Sequence, residues 1–162
     1  MRRRLTRDEL TGVLSQQELH RRARAWLAQT EGPARHGAFF LVSFEQYAEI
    51  SAMLRAGEDR SLLVQVANRL GLITRTLGGM VARTGVDSFT VCVPEVDEVG
   101  AAQVSAKLLE DLNAPYELGG RPLIVVFRVG AALYPEHGRT VEEMQRCVQV
   151  AMVPLKERGG PG

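Results

Sequence analysis

The chain has 162 residues, of which 45% are hydrophobic and 24% are charged, and its formal net charge is +1. This length and composition are typical of one soluble globular domain. The balanced charge gives no reason to expect a nucleic-acid or membrane partner, and no apolar run approaches the ~20 residues that cross a bilayer. Cys92 and Cys147 lie far apart in apolar segments, which predicts reduced core thiols and a cytoplasmic location.

The first half of the chain alternates predicted helices with a buried strand. Residues 1–14 are interpreted as a turn-like lead-in or linker. The sequence SQQE at 15–18 matches a capping box, in which Ser15 caps a helix and Glu18 reaches back. The apolar run AFFLVSF predicts a central strand covered on both faces. The predicted elements are a helix over 16–29, a loop over 30–37, a strand over 38–44, a helix over 45–56 ended by Gly57, and a helix over 59–77.

The second half of the chain begins with a predicted β-hairpin. Gly78 and Gly79 end the long helix, and two short strands flank a turn that contains Gly85 and Asp87. The predicted elements are strands over 80–83 and 89–93, a helix over 95–113, a strand with a Gly-Gly turn, a long strand over about 123–133, and a helix from Thr140 that Pro154 ends or kinks. Strands joined both by helices and by hairpins predict an α/β fold of the α+β type, with one mixed sheet covered by helices.

Five motifs in chain order resemble those of one protein family. DELTGVL at 8–14 is similar to the family pattern D-x-LTGL, and FFLVSFEQYAEIS at 39–51 is similar to LLxxDxDxFKxIND. ARTGVDSFTVCVP at 82–94 resembles xRxGGDEFxxxxP. FRVGAALYPEHGRTVEEM at 127–144 resembles xSIGxAxYPxDGxxxxxL, and VQVAMVPLKERG at 148–159 resembles ADxAMYxAKxxG. The family is that of GGDEF domains, the bacterial diguanylate cyclases.

The resemblance implies a nucleotidyl-cyclase type of fold with a motif-bearing hairpin. Residues 1–162 are therefore interpreted as a single degenerate GGDEF domain, in which 159–162 form a flexible tail. In the family, two domains that each hold one GTP meet face to face and form cyclic di-GMP. The metal ion is held by an aspartate at the end of the first strand, by the next backbone carbonyl and by acid from the hairpin.

The metal-binding positions depart from the family pattern. The strand-ending aspartate falls on Ser43, whose neutral hydroxyl is a poor ligand for a hard cation, although Phe44 keeps its carbonyl. The hairpin motif reads Gly85-Val86-Asp87-Ser88-Phe89, so that its third-position acid remains while its glutamate is a serine. Its second glycine is a β-branched valine, which fills space and disfavours a positive φ. Mg²⁺ binding is therefore expected to be lost.

The nucleotide-binding positions depart in the same direction. The phosphate-contacting lysine falls on Ala48, the guanine-reading asparagine on Ser51 and a guanine-gripping aspartate on Arg60. Among the phosphate-binding side chains the resemblance retains only Lys156, whose helical placement Pro154 puts in question. The product-binding R-x-x-D motif falls on TLGG at 76–79, which has neither residue. GTP binding is therefore also expected to be lost.

Another acidic residue could still provide a metal ligand. In a continuing strand, Glu45 would point to the same face as Ser43 and could hold a metal together with Asp87. The alternative is that Glu45 is the first-turn acid of the following helix. We favour the second interpretation, in which Asp87 is a turn residue, Arg83 a charged residue on the sheet and Lys156 a solvated lysine.

The sequence thus favours a catalytically inactive GGDEF-like domain that acts as a regulatory or protein-interaction module in cyclic di-GMP signalling. Its expected partners are other domains of the same parent protein, such as an EAL domain, or a signalling partner protein, with a homodimer as a further option. Two alternatives remain: a GTP-binding sensor without turnover, and a weak diguanylate cyclase that uses Glu45 and Asp87.

Overall fold

The computed structural model describes residues 6–29 and 36–152. These residues form seven strands and five helices in the order β1 (Leu14–Ser15), α1 (Gln16–Ala28), β2 (Gly37–Phe44), α2 (Tyr47–Met53), α3 (Glu58–Leu77), β3 (Met80–Gly85), β4 (Ser88–Pro94), α4 (Glu98–Leu112), β5 (Tyr116–Leu118), β6 (Arg121–Leu123), β7 (Phe127–Tyr134) and α5 (Val141–Ala151). In this part of the chain no helix is both long and apolar enough to cross a membrane.

A five-stranded mixed sheet forms the centre of the fold. Its strand order is β1-β3-β4-β2-β7, in which β1 pairs parallel to β3 and the other pairs are antiparallel. The predicted mixed sheet and α/β class are thereby confirmed. Strand β2 has neighbours on both sides, and its alternate residues are buried in two different cores, as a doubly covered central strand requires.

Helices cover the sheet on both faces. Helices α3 and α4 pack with Phe40 and Val42 of β2 in the larger core. Helices α1 and α5 pack with Phe39 of the same strand in the smaller core. The predicted inner face of α3 is buried in full and comprises Leu62, Leu63, Val66, Leu70 and Ile73.

The ends of several elements follow the predicted signals. The Ser15 hydroxyl accepts a hydrogen bond from the Glu18 amide, so Ser15 caps α1 as expected. The predicted contact of the Glu18 side chain back towards Ser15 is replaced by hydrogen bonds that its carboxylate accepts from Arg21 and Arg22. Gly78 ends α3 with a φ of 66°. Thr140 caps α5 through the Glu143 amide, and Pro154 lies outside the described residues.

Two predicted elements differ from the structure. The described part of the lead-in is a turn packed on the domain, and its last residue, Leu14, is a buried residue of β1. The long strand predicted over 123–133 is divided, because β6 pairs only with β5 and β7 enters the main sheet at Phe127. An apolar run predicts burial but does not specify which sheet each part joins.

Candidate functional site

The motif-bearing hairpin turns at Val86 and Asp87. Gly85 pairs with Ser88, and the register of β3 against β4 shifts between Arg83 and Gly85. The positive-φ residues other than glycine in the described ranges are Gln46 and Glu95, so the turn accommodates Val86 without left-handed backbone. The Val86 side chain is 69% exposed. A second glycine is therefore not needed for the turn itself, and the valine side chain lies largely in solvent.

The turn lies against the end of the central strand. The Phe44 amide donates to the Asp87 carbonyl at 3.2 Å, and the next amide, that of Glu45, donates to the Val126 carbonyl at 2.9 Å. The hairpin and the chain entering β7 therefore meet on the two sides of the last residues of β2. The sequence-predicted residues Ser43, Phe44, Asp87 and Ser88 are brought together here.

A row of three side chains crosses the sheet at this position. Ser43 of β2 pairs directly with Ser88 of β4 on one side and with Arg128 of β7 on the other. Directly opposed residues of antiparallel strands share a face, with Cβ atoms about 4.5–5.5 Å apart. Two hydroxyls and a guanidinium therefore lie side by side where the family pattern has its strand-ending aspartate and hairpin glutamate.

Arg128 joins this row to the end of the last helix. One of its Nη atoms donates to the carbonyl of Met152, which follows α5. Its Nε lies 3.6 Å from a carboxylate oxygen of Glu45. A cation at the C-terminal end of a helix is favoured by the helix dipole. Sequence reasoning missed Arg128, although it stands at the serine of the xSIG pattern, and only the strand register brings it beside Ser43.

The proposed rescue of a metal site by Glu45 does not match the backbone. Strand β2 ends at Phe44, and Gln46 adopts a left-handed φ of 56° before α2 begins at Tyr47. Glu45 therefore belongs neither to a continuing strand nor to the first turn of the helix, and it pairs with Arg128 instead. In residues 6–29 and 36–152, no group of three or more His, Cys, Asp or Glu side chains could hold a metal ion.

Asp87 and Arg83 both influence Tyr47 of α2 through their charges. Burial raises the pKa of Tyr47, and the charges of Asp59 and Asp87 add to this effect while that of Arg83 opposes it. Arg83 lies on the sheet, as predicted, where it donates to the Val86 carbonyl at 3.0 Å and lies 3.6 Å from Asp8. The Asp87 charge therefore acts on Tyr47 of α2.

The predicted nucleotide positions lie on and near α2. Ala48 is exposed on that helix, Ser51 is half-buried in its last turn, and Arg60 is exposed in the first turn of α3. None of these side chains supplies a carboxylate or amide for a guanine edge. Lys156 lies outside the described residues.

An open cleft of about 420 Å³ borders the row. Ser43, Arg128 and Met152 line it together with the backbone turn that follows β2. The Ser43 hydroxyl makes a long contact of 3.4 Å with the Phe44 carbonyl. Glu45 and Gln46 complete the polar lining, so the cleft has one cation, one carboxylate, one hydroxyl and one side-chain amide.

The sheet order, the two helical layers and the hairpin abutting the central strand define an α/β domain of the nucleotidyl-cyclase type. The family model described as "Diguanylate cyclase, GGDEF domain" matches residues 5–161, and the chain belongs to the GGDEF family. The expected family and fold are thereby confirmed.

Individual relatives agree with this assignment. An uncharacterized signaling protein of Caulobacter vibrioides is 29% identical over 94% of this chain and 19% of its own length. The bifunctional diguanylate cyclase/cyclic di-GMP phosphodiesterase MucR of Pseudomonas aeruginosa is 30% identical over 62% of this chain and 15% of its own length. The crystal structure of a sensory box/GGDEF family protein from Caulobacter crescentus is 28% identical and covers 96% of this chain and 99% of that chain, with a TM-score of 0.85. The chain thus spans less than a fifth of these two curated relatives.

Proposed function

We propose that this GGDEF domain is catalytically inactive and acts as a regulatory, cytoplasmic module of a cyclic di-GMP signalling protein. The observation that carries the proposal is the cross-strand row of Ser88, Ser43 and Arg128. Mg²⁺ is a hard cation that is usually bound through one or two carboxylates together with substrate phosphates. Here the two acid positions carry hydroxyls, and the third member of the row is a permanent cation.

Electrostatics supports the proposal beyond the loss of ligands. A guanidinium opposite Ser43 repels a divalent ion at the place where the family pattern puts its aspartate, whereas a missing ligand alone would only weaken binding. Asp87 keeps the third-position acid of the hairpin motif, but Ser88 and Ser43 stand at the other two acid positions. The one acid left in the hairpin motif therefore lacks a second acid across the strand with which to hold the ion.

Turnover of GTP tests the proposal. The purified chain is incubated with GTP and Mg²⁺ or Mn²⁺ over a range of protein concentrations, because the family reaction joins two domains, and cyclic di-GMP is detected by mass spectrometry. We expect no product at any concentration. Product formation that is lost in the Asp87→Ala variant would contradict the proposal and support a weak cyclase.

The partner we propose is a neighbouring domain of the same parent protein. The relatives support this, because the chain matches only 15–19% of the length of the two curated relatives above, and one of them is described as bifunctional. Two exposed valines, Val86 and Val126, lie on either side of the end of β2. These two side chains form an apolar surface at this end of the sheet, which a neighbouring EAL or sensory domain can cover.

This partner assignment is tested in the parent protein. The Val86→Asp/Val126→Asp double variant should change the activity or protease sensitivity of the adjoining domain, whereas Val99→Asp, at an exposed valine on α4, should not. Sedimentation of the isolated domain distinguishes the homodimer, which the same two substitutions would dissociate. If the double variant and Val99→Asp have the same effect on the adjoining domain, Val86 and Val126 do not form the docking surface.

A further inference from the structure

A second cleft, of about 250 Å³, lies at the opposite end of the central strand from the serine–arginine row formed by Ser88, Ser43 and Arg128. Ala38 and its cross-strand partner Val93 line this cleft, and Ala38 stands five residues before Ser43 on β2. At about 3.4 Å per residue in an antiparallel strand, the separation is roughly 17 Å. This second cleft, called the tryptophan cleft after Trp26 in its wall, is therefore a different site from the motif-bearing hairpin.

The walls of the tryptophan cleft are mainly apolar. Trp26 of α1, Met80 at the start of β3 and Cys92 of β4 supply its large side chains. Burial raises the pKa of the Cys92 thiol, so this side chain is uncharged and does not repel an anion. Small residues leave space between these walls, and they are Ala23, Ala38, Gly78 and Gly79. An apolar cavity of about 150 Å³ binds benzene, so the tryptophan cleft has room for an apolar group of at least this size.

Contacts outside the tryptophan cleft position its aromatic wall. The Trp26 ring packs edge-on against Tyr134, with 5.7 Å between the ring centroids. The same ring lies over Gly37, where a Cβ would be 2.6 Å from the Trp26 Cη2 atom. The indole is therefore fixed on the side that faces away from a ligand, and it offers a preformed apolar surface.

One cation lines the tryptophan cleft. Arg22 donates its Nε to Glu18 at 2.8 Å, and the same carboxylate accepts two hydrogen bonds from Arg21. Two guanidiniums thus share one carboxylate. The Arg22 side chain is 44% exposed, and its Nη groups donate to no other residue in the described part of the chain. Because arginine forms strong charge-assisted hydrogen bonds with carboxylates, Arg22 can bind a second carboxylate while it keeps Glu18.

A larger groove of about 580 Å³ adjoins the tryptophan cleft and shares Arg22, Gly79 and Met80 with it. Arg7 and Arg75 also line the groove, and the described residues that line it include no carboxylate. Clefts lined by one sign of charge raise the local concentration of ligands of the opposite sign. The surroundings of the tryptophan cleft therefore favour an anionic ligand over a neutral one.

We propose that the tryptophan cleft binds a small amphipathic carboxylate, such as a medium-chain fatty acid. Its apolar part lies between Trp26 and Met80, and its carboxylate binds Arg22. A cyclic dinucleotide does not suit this site, because Thr76 is not part of the lining and Gly79 offers no side chain at the product-binding positions of the family pattern. The ligand would contact α1 and the ends of β3 and β4 together, and would thereby stabilise the folded domain.

The test is a titration of the full chain with octanoate, followed by the fluorescence of Trp26, the one tryptophan in the sequence. We expect a saturable change with octanoate and no change with acetate, which lacks the apolar chain. Binding of 1-octanol, which lacks the charge, should be about tenfold weaker. In ¹H–¹⁵N NMR spectra, octanoate should shift the signals of Met80 and Cys92 and leave that of Ser43 in place.

The two arginines that share Glu18 provide a matched pair of variants. Arg22→Gln should weaken octanoate binding about tenfold, because the carboxylate loses its cation. Arg21→Gln removes the other partner of Glu18 but does not alter the lining of the cleft, so it should leave octanoate affinity unchanged. The NMR spectra of both variants report whether the domain remains folded.

Three results would overturn the inference. The first is the absence of saturable octanoate binding. The second is equal affinity for octanoate and 1-octanol, or equal loss of affinity in Arg22→Gln and Arg21→Gln, because Arg22 would then not bind the carboxylate. The third is displacement of octanoate by cyclic di-GMP, which would assign the cleft to the signalling nucleotide. None of these measurements involves GTP turnover or Mg²⁺, so they leave the proposed loss of cyclase activity untouched.

Discussion

Arg128 lies directly opposite Ser43 in the register of β7 against β2. The guanidinium reaches the end of α5 through the Met152 carbonyl and approaches Glu45 on the other side. This relationship places a permanent cation, whose carboxylate partner is Glu45, directly beside Ser43. Together with serines at the two acid positions of the family pattern, it is the reason that we propose a loss of metal binding.

The contribution of Arg128 can be separated from that of the lost acids. Ser43→Asp/Ser88→Glu restores two carboxylates, and adding Arg128→Ser removes the neighbouring cation. We expect the triple variant to bind Mn²⁺ at least tenfold more tightly than the double variant, as measured by electron paramagnetic resonance of free Mn²⁺. Equal affinities would show that Arg128 does not act on the ion.

The close contact of α5 with β7 should depend on Gly130. A Cβ at this position would lie 2.9 Å from the Val148 carbonyl oxygen and 3.1 Å from the Ala151 Cβ. We expect Gly130→Ala to lower the free energy of unfolding by about 1–3 kcal/mol in urea denaturation, because overpacking shifts the backbone. The control is Gly71→Ala within α3, where an added Cβ would meet no atom within 4 Å apart from the neighbouring backbone of its own helix, and where alanine should stabilise the helix by up to about 1 kcal/mol.

The first turn of α1 should make stability depend on acid pH. Hydrogen bonds from Arg21 and Arg22 lower the pKa of Glu18 from 4.5 to about 2. Because the folded-state pKa is depressed, the stabilisation is present above pH 4.5 and is lost as the pH falls towards 2. We expect the thermal midpoint of the wild type to fall more steeply over this range than that of Glu18→Gln. Parallel curves would contradict this role of Glu18.

Arg69 of α3 should stabilise the segment that follows α4. Arg69 donates to the carbonyls of Asp111, Ala114 and Pro115, and its guanidinium carbon lies 3.6 Å from the centroid of the Tyr116 ring. We expect Arg69→Ala to lower the free energy of unfolding by about 2 kcal/mol, because charged hydrogen bonds and a cation–π contact are lost together. As a control, Arg60→Ala replaces an exposed arginine in the first turn of α3. It should change the free energy of unfolding by less than about 0.5 kcal/mol.

Sequence patterns predicted most of the fold because the signals were local. The apolar stripe of α3, the hairpin around Asp87 and the caps of α1 and α5 all depend on neighbours within a few residues. The end of β2 was harder to predict. Gln46 adopts a left-handed backbone conformation, which is usually a property of glycine or asparagine, so its residue type does not indicate the turn after Phe44.

The site itself was only partly predictable. Aligned motifs placed Ser43, Asp87 and Ser88 together, and the strand pairing brings them together. Arg128 comes from a strand more than eighty residues further along the chain than Ser43. Its neighbourhood depends on the β2–β7 register, which no local pattern specifies.

The most direct test of the central claim is a calorimetric titration of the purified chain with GTP in excess Mg²⁺. The serine–arginine row should not hold the metal, and neither Ser51 nor Arg60 offers the amide or carboxylate that would select guanine. We predict no micromolar binding of the Mg²⁺–GTP complex. Micromolar binding that is lost in Asp87→Ala would contradict the account and identify a nucleotide-sensing domain.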